Sequence, residues 1–176
     1  VGYAGGAKRN PTYHSLGDHT ETLQIDYDPT QISYDELLAI FWASHNPTGK
    51  AWSRQYMAAI FYHNDAQQAV ALATKEAEAK KRRAEIQTVI APAGPFYLAE
   101  DYHQKYALRQ TSGLMQEFKQ IYPDRQAFTN STAAARINGY VSGYGTLAQL
   151  QAELDDLGLS PKGRQKLLEL TRRYHR

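Results

Sequence analysis

Over residues 21–27 apolar and polar side chains alternate, Leu23, Ile25 and Tyr27 against Thr22, Gln24 and Asp26. That period of two predicts a half-buried strand, ended by Asp28-Pro29. Ser33 and Glu36 have capping-box spacing, and Leu37, Leu38, Phe41 and Trp42 follow at helical intervals, so a helix is expected to stop near His45. Residues 55–63, with Tyr56, Met57, Ile60, Phe61 and Tyr62, predict a second strand. Asn64 or Asp65 then caps a long helix to about Glu85, and residues 86–92 form a third strand. Gly94-Pro95 turns the chain into Phe96-Tyr97-Leu98, with a helix starting near Glu100-Asp101. Residues 1–18, rich in Gly, Asn, Pro and Asp, read as an ordered loop.

The character changes after Gly113. Residues 114–122 look helical and Pro123-Asp124 breaks them. Asn130-Ser131 caps a short helix over residues 132–137, and residues 146–157 make another, stopped by Gly158. Ser160-Pro161 supplies an N-cap and a first-position proline for the closing helix. The order strand–helix–strand–helix–strand followed by helices predicts an α+β fold. The expected organisation is a two-layer sandwich core over residues 1–110 with a helical C-terminal extension over 111–176.

Composition narrows the function classes. Of the 176 residues 42% are hydrophobic, which suits a packed core and excludes a fully disordered chain. Twenty Lys and Arg against eighteen Asp and Glu leave +2, too little for a general nucleic-acid or membrane binder. No apolar run approaches the length of a membrane span. Neither nucleic acid nor membrane is an expected partner. With no cysteine, the chain by itself has no disulfide, zinc-thiolate or thiol chemistry. It opens on Val1-Gly2-Tyr3 with no signal-peptide pattern, and reads as a fragment of a longer protein.

Three groupings carry candidate chemistry. Tyr13, His19 and Glu21 stand at a loop–strand junction, where a Tyr and a carboxyl group can polarise or protonate an oxygen. A carboxyl group acts as an acid near neutral pH when burial raises its pKa; the competing reading is a surface turn with an exposed Glu. His14, His19 and Glu21 are conceivable metal ligands, but their spacing matches no standard ligand pair, and no metal is expected. Lys80-Lys81-Arg82-Arg83 and a tail with six basic residues and one acid after Ser160 are basic clusters. Without a phosphate loop or aromatic stacking motif they read as solvated helix faces, an RNA-contacting tail being the remaining option.

Four segments in order resemble the A-type peptide methionine sulfoxide reductases. They are Val1-Gly2-Tyr3-Ala4-Gly5-Gly6; Asn10-Pro11-Thr12-Tyr13 through His19-Thr20-Glu21; Ser33 through Pro47-Thr48, including Phe41-Trp42; and Phe96-Tyr97-Leu98-Ala99-Glu100-Asp101-Tyr102-His103-Gln104-Lys105-Tyr106. The resemblance spans residues 1–110 and implies an α+β sandwich of ferredoxin-like type. It also implies a peptide-methionine (S)-S-oxide reductase acting on free or protein-bound methionine sulfoxide. In that family a cysteine thiolate attacks the sulfoxide sulfur, the oxygen leaves as water and the cysteine becomes sulfenic acid. Matching residue by residue, Glu21 takes the acid of His-x-Glu, while Tyr13 and Tyr56 are the phenols that hold the oxygen. Trp52 and Tyr102 are carried as substrate-binding candidates, with Tyr102 and His103 also read as structural support. Tyr13, Glu21 and Tyr56 are therefore expected to converge on one pocket.

The departures from the family pattern imply as much. The nucleophile of its Gly-Cys-Phe-Trp motif is expected upstream of Val1, as Cys or selenocysteine, which leaves these 176 residues inactive alone and lacking a core strand. Ala51 stands where the family has an acid, in a shortened loop. Residues 111–176 hold no resolving cysteine, so the chain resembles a divergent branch. The implied reductant is an external thiol, thioredoxin, glutathione or glutaredoxin, with no bound cofactor and a cytoplasmic location. The alternative is a catalytically inactive reductase-like domain that binds methionine-containing or oxidised protein segments.

Overall fold

The computed structural model describes residues 1–174 and divides the chain into two compact units, Val1–Glu100 and Asp101 onward. The division falls ten residues before the boundary at 110 expected from the sequence, because the turn at Asp101–His103 and the helix Tyr106–Arg109 group with the helices that follow.

In the first unit β1 (Gly2–Ala4) is the middle of a three-stranded antiparallel sheet, between β2 (Thr20–Thr22) and β5 (Tyr97–Leu98). All three β1 residues are buried, so no alternation marks the strand, and its sequence read as loop. The strand expected over 21–27 shrinks to Thr20–Thr22. The register sets Gly2 opposite Thr22, which gives β1 ladder partners for those three residues and no more. Leu23 and Ile25, expected on a half-buried face, are exposed. Gly2 permits the close approach of β5, since a Cβ there would stand 2.3 Å from the Tyr97 carbonyl oxygen.

The second sheet pairs β3 (Ala59–Tyr62) with β4 (Val89–Pro92) in parallel, joined through α2 (Asp65–Arg82). Parallel pairing requires such a crossover. Asn64 caps α2 by accepting from Gln67 N–H, and Arg83 ends it in the left-handed region at φ 52°. Helix α1 (Tyr34–Ala43) begins at Ser33, whose hydroxyl accepts from Glu36 N–H while Glu36 accepts from Ser33 N–H. Leu38, Trp42, Ile60, Ala71 and Ile86 form the core between these elements. The basic run after Ala79 is a paired helix face: Lys80 binds Glu76, and Lys81 and Arg82 bind Glu78.

The second unit is helical among the described residues, running α3 (Tyr106–Arg109), α4 (Ser112–Ile121), α5 (Arg125–Asn130), α6 (Thr132–Val141), α7 (Leu147–Glu153) and α8 (Pro161–Tyr174). The break expected at Pro123-Asp124 is present between α4 and α5, and helix α5, which the sequence reading did not anticipate, follows it directly. The Asp124 carboxylate accepts from Ala127 N–H at 2.8 Å, so that dipeptide starts a helix as well as ending one. Leu108, Leu114, Phe118, Ile137, Leu150 and Leu167 are fully buried in one apolar core. The tail's basic cluster lies on α8 up to Tyr174, and Arg176 of that cluster lies outside the described residues.

Candidate active site

The loop that carries Tyr13 is held by polar contacts to three side chains, His19, Asp18 and Glu100. His19 is fully buried; its Nδ1 accepts from Gly6 N–H at 3.2 Å, which puts its hydrogen on Nε2, 2.7 Å from the Lys8 carbonyl oxygen. Both ring nitrogens are spent on the backbone, so His19 is a strut, and the His14–His19–Glu21 metal reading is set aside. Asp18 accepts from Ala7 N–H with both oxygens, each at 2.9 Å, and from Lys8 N–H. Glu100 closes the other side: it accepts from the Tyr3 hydroxyl at 2.6 Å and from Tyr13 N–H at 3.0 Å.

Those backbone N–H donors hold the Asp18 carboxyl below its ordinary value of 3.8. A depressed carboxyl favours the folded loop at pH above the unfolded value, and the contribution disappears as pH falls through the lower folded one. Amide exchange at Ala7 and Lys8, measured relative to the intrinsic rate at each pH, is therefore expected to be slow at neutral pH and to speed up below pH 3.8. Asp18→Asn is expected to accelerate it already at pH 7; protection unchanged in that variant would refute the carboxylate anchor.

The other half of the site is a 3₁₀ turn at Arg54–Tyr56, where the sequence predicted a strand from residue 55. The turn is pinned to the Asp18 loop and to β2. Arg54 donates Nε–H to the Asp18 carbonyl at 2.5 Å and an Nη2 hydrogen to the Gly5 carbonyl at 3.0 Å. The buried Thr20 hydroxyl donates to the Gln55 carbonyl at 2.9 Å. These bonds leave the strand pairing to begin at Ala59.

The pinned turn brings the expected residues together. The Gln55 side-chain amide donates to Glu21 Oε1 at 2.8 Å and to the Tyr56 hydroxyl oxygen at 3.1 Å. Tyr56 is in turn hydrogen-bonded to Tyr13. Its phenol is pushed above the ordinary value first by that bond, then by desolvation and by the negative neighbour Glu21. Trp52 is 83% exposed, its ring 4.9 Å from that of Tyr56 at a 32° tilt. Glu21 is exposed on the edge strand, not buried as the acid reading supposed; in this chain its carboxyl faces solvent beside two phenols. Tyr102 belongs to the second unit, half exposed with its ring 4.2 Å from that of His103.

Gln55 and Glu100 went unnoticed in the sequence. Each acts on a residue far along the chain, Glu21 in one case and Tyr3 and Tyr13 in the other, so no local spacing announces either. The signal that was available is, for Glu100, its place inside the resembling segment Phe96 through Tyr106 and, for Gln55, its place directly before Tyr56, a phenol that the resemblance carries over.

A family profile described as peptide methionine sulfoxide reductase matches residues 1–137. The chain belongs to that family. A second profile, described as the helical domain of selenoprotein methionine sulfoxide reductase A, matches residues 125–169, which run from α5 into α8. The chain is 44% identical over 167 residues to a peptide methionine sulfoxide reductase of Drosophila melanogaster, covering 94% of this chain and 67% of that one. It is 43% identical over 148 residues to peptide methionine sulfoxide reductase A5 of Oryza sativa subsp. japonica, covering 81% and 58% respectively. The chain thus spans from somewhat over half to about two thirds of these relatives' length. The crystal structure of Mxr1 from Saccharomyces cerevisiae in reduced form is similar with a TM-score of 0.58 and 32% identity, over 63% of this chain and 69% of that chain. An α+β architecture with a helical C-terminal region is what family membership and the structure share.

Proposed function

We propose that the protein reduces methionine-S-sulfoxide, free or in proteins, to methionine, with Tyr13, Glu21 and Tyr56 serving the departing oxygen. The observation that carries this reading is the single hydrogen-bonded cluster of Glu21, Gln55, Tyr56 and Tyr13 in a chain of this family. Sulfoxide oxygen is a poor leaving group. It departs when one group protonates it and others donate hydrogen bonds as charge grows on it. Glu21 supplies the proton and the phenols the hydrogen bonds.

The nucleophile comes from a segment outside these 176 residues, as Cys or selenocysteine. Its thiolate (or selenolate) attacks the sulfoxide sulfur, and the oxygen leaves as water with one proton from Glu21 and a second from solvent. Water then attacks the nucleophile atom of the sulfonium adduct, releasing methionine and leaving sulfenic (or selenenic) acid. Two equivalents of an external thiol (thioredoxin, glutathione or glutaredoxin) return that acid to the thiol, releasing water and a disulfide. A cytoplasmic setting suits such a supply and a chain with no cysteine of its own. Trp52 beside Tyr56 offers an aromatic surface for the substrate's methyl group, and bound substrate supplies the burial that Glu21 lacks in the free chain. Among the described residues no helix is long and apolar enough to cross a membrane.

The test is the full-length protein that contains this chain, incubated with each epimer of N-acetylmethionine sulfoxide and excess dithiothreitol. The S epimer is expected to be consumed and the R epimer left. No consumption of either would overturn the reading.

A further inference from the structure

Gln55 touches both the carboxylate and a phenol of the cluster through a single atom, Nε2. Its backbone is fixed on both sides, by Arg54 to Asp18 and Gly5 and by Thr20 to the Gln55 carbonyl. The amide is therefore presented from a braced turn. A primary amide nitrogen has two hydrogens and no lone pair to offer, so each contact has a fixed direction.

Two consequences follow for the groups it touches. Glu21 Oε1 accepts from Gln55, so a protonated Glu21 bears its hydrogen on Oε2. Tyr56 accepts from Gln55, so its own hydrogen points away from Gln55 and is left to donate to another oxygen.

We propose that Gln55 is a positioning residue of this site, setting which oxygen of Glu21 delivers the proton and which way the Tyr56 hydroxyl points. The inference rests on the reading of the site as a sulfoxide reductase. It assigns to Gln55 no contact with the reacting atoms. Its effect is felt through Glu21 and Tyr56, whose donors must reach one oxygen at the same moment, and misplacement of about 1 Å in such a group can cost up to roughly 100-fold in rate.

The experiment measures kcat and KM for N-acetylmethionine-S-sulfoxide with the full-length protein, its Gln55→Ala variant and its Gln55→Glu variant, from pH 5 to 8. Gln55→Ala is expected to lose about 10- to 100-fold in kcat, with KM changed less than about threefold and the melting temperature unchanged. Gln55→Glu at pH 8 places a second carboxylate beside Glu21 and has no donor, so it is expected to fall below Gln55→Ala. On protonation its carboxyl regains one O–H donor. The ratio of its kcat to that of Gln55→Ala is then expected to rise as pH falls. A wild-type protein with no activity would overturn the functional reading and this proposal with it. An active wild type with Gln55→Ala within twofold in kcat would overturn the proposal alone. So would Gln55→Glu and Gln55→Ala in constant ratio across the pH range, the result of a merely structural side chain.

Discussion

Glu21→Gln in the full-length protein is expected to lower kcat for methionine-S-sulfoxide by about 10²- to 10⁴-fold, the range in which general acids contribute. The substitution is nearly isosteric. Gln55 Nε2 can still donate to an amide oxygen at position 21, so the 2.8 Å contact has a replacement and the turn has no reason to move. What is removed is the transferable proton. KM is therefore expected to change far less than kcat, the pattern of an interaction made in the transition state. Glu21 is exposed on an edge strand, so the stability change should stay within about 0.5 kcal/mol. Glu21→Asp, shorter by one methylene, should recover part of the rate. A Glu21→Gln enzyme within threefold of wild type would remove Glu21 from the chemistry.

Phe118→Ala is expected to cost about 3–5 kcal/mol of stability, read as the shift of a urea unfolding midpoint at unchanged slope. Phe118 has no exposed surface and lies at the centre of the second unit's core. Its ring stacks on Tyr122 at 5.7 Å and meets Phe128 edge-on at 6.3 Å. Truncation removes those contacts and leaves a void that helices α4 and α5 close only by moving. Tyr144, 73% exposed, is the control: Tyr144→Ala should stay within about 0.5 kcal/mol. A loss below 1 kcal/mol at Phe118 would mean that this core is loosely packed.

The two expectations differ in how visible they were beforehand. Phe118 falls in a run of residues that read as helix from its own periodicity, and it is helix. Glu21 sits in a stretch whose strand was overextended, and what singled it out was the resemblance of the segment Asn10-Pro11-Thr12-Tyr13 through His19-Thr20-Glu21 to one family. The structure then placed Glu21, Tyr56 and Tyr13 in one hydrogen-bonded cluster. Trp52 was paired with Tyr56 by the structure, and Tyr102 was found in the other unit.

Helices were legible because their signals are local. Ser33, Asn64, Ser131 and Thr146 each accept from a backbone N–H three residues on, and Gly158 ends its turn at φ 71°. Such bonds close within a few residues, so the residue types that make them stand side by side in the chain. Strands and the site were settled by the tertiary structure. Whether Gly2–Ala4 is a strand depends on Thr20–Thr22 and Tyr97–Leu98 arriving on its two sides. Whether Gln55 touches Glu21 depends on Arg54 and Thr20 pinning a turn against β2. Those partners lie tens of residues apart, and their meeting is decided by the packing of the whole unit, which no short window of sequence contains.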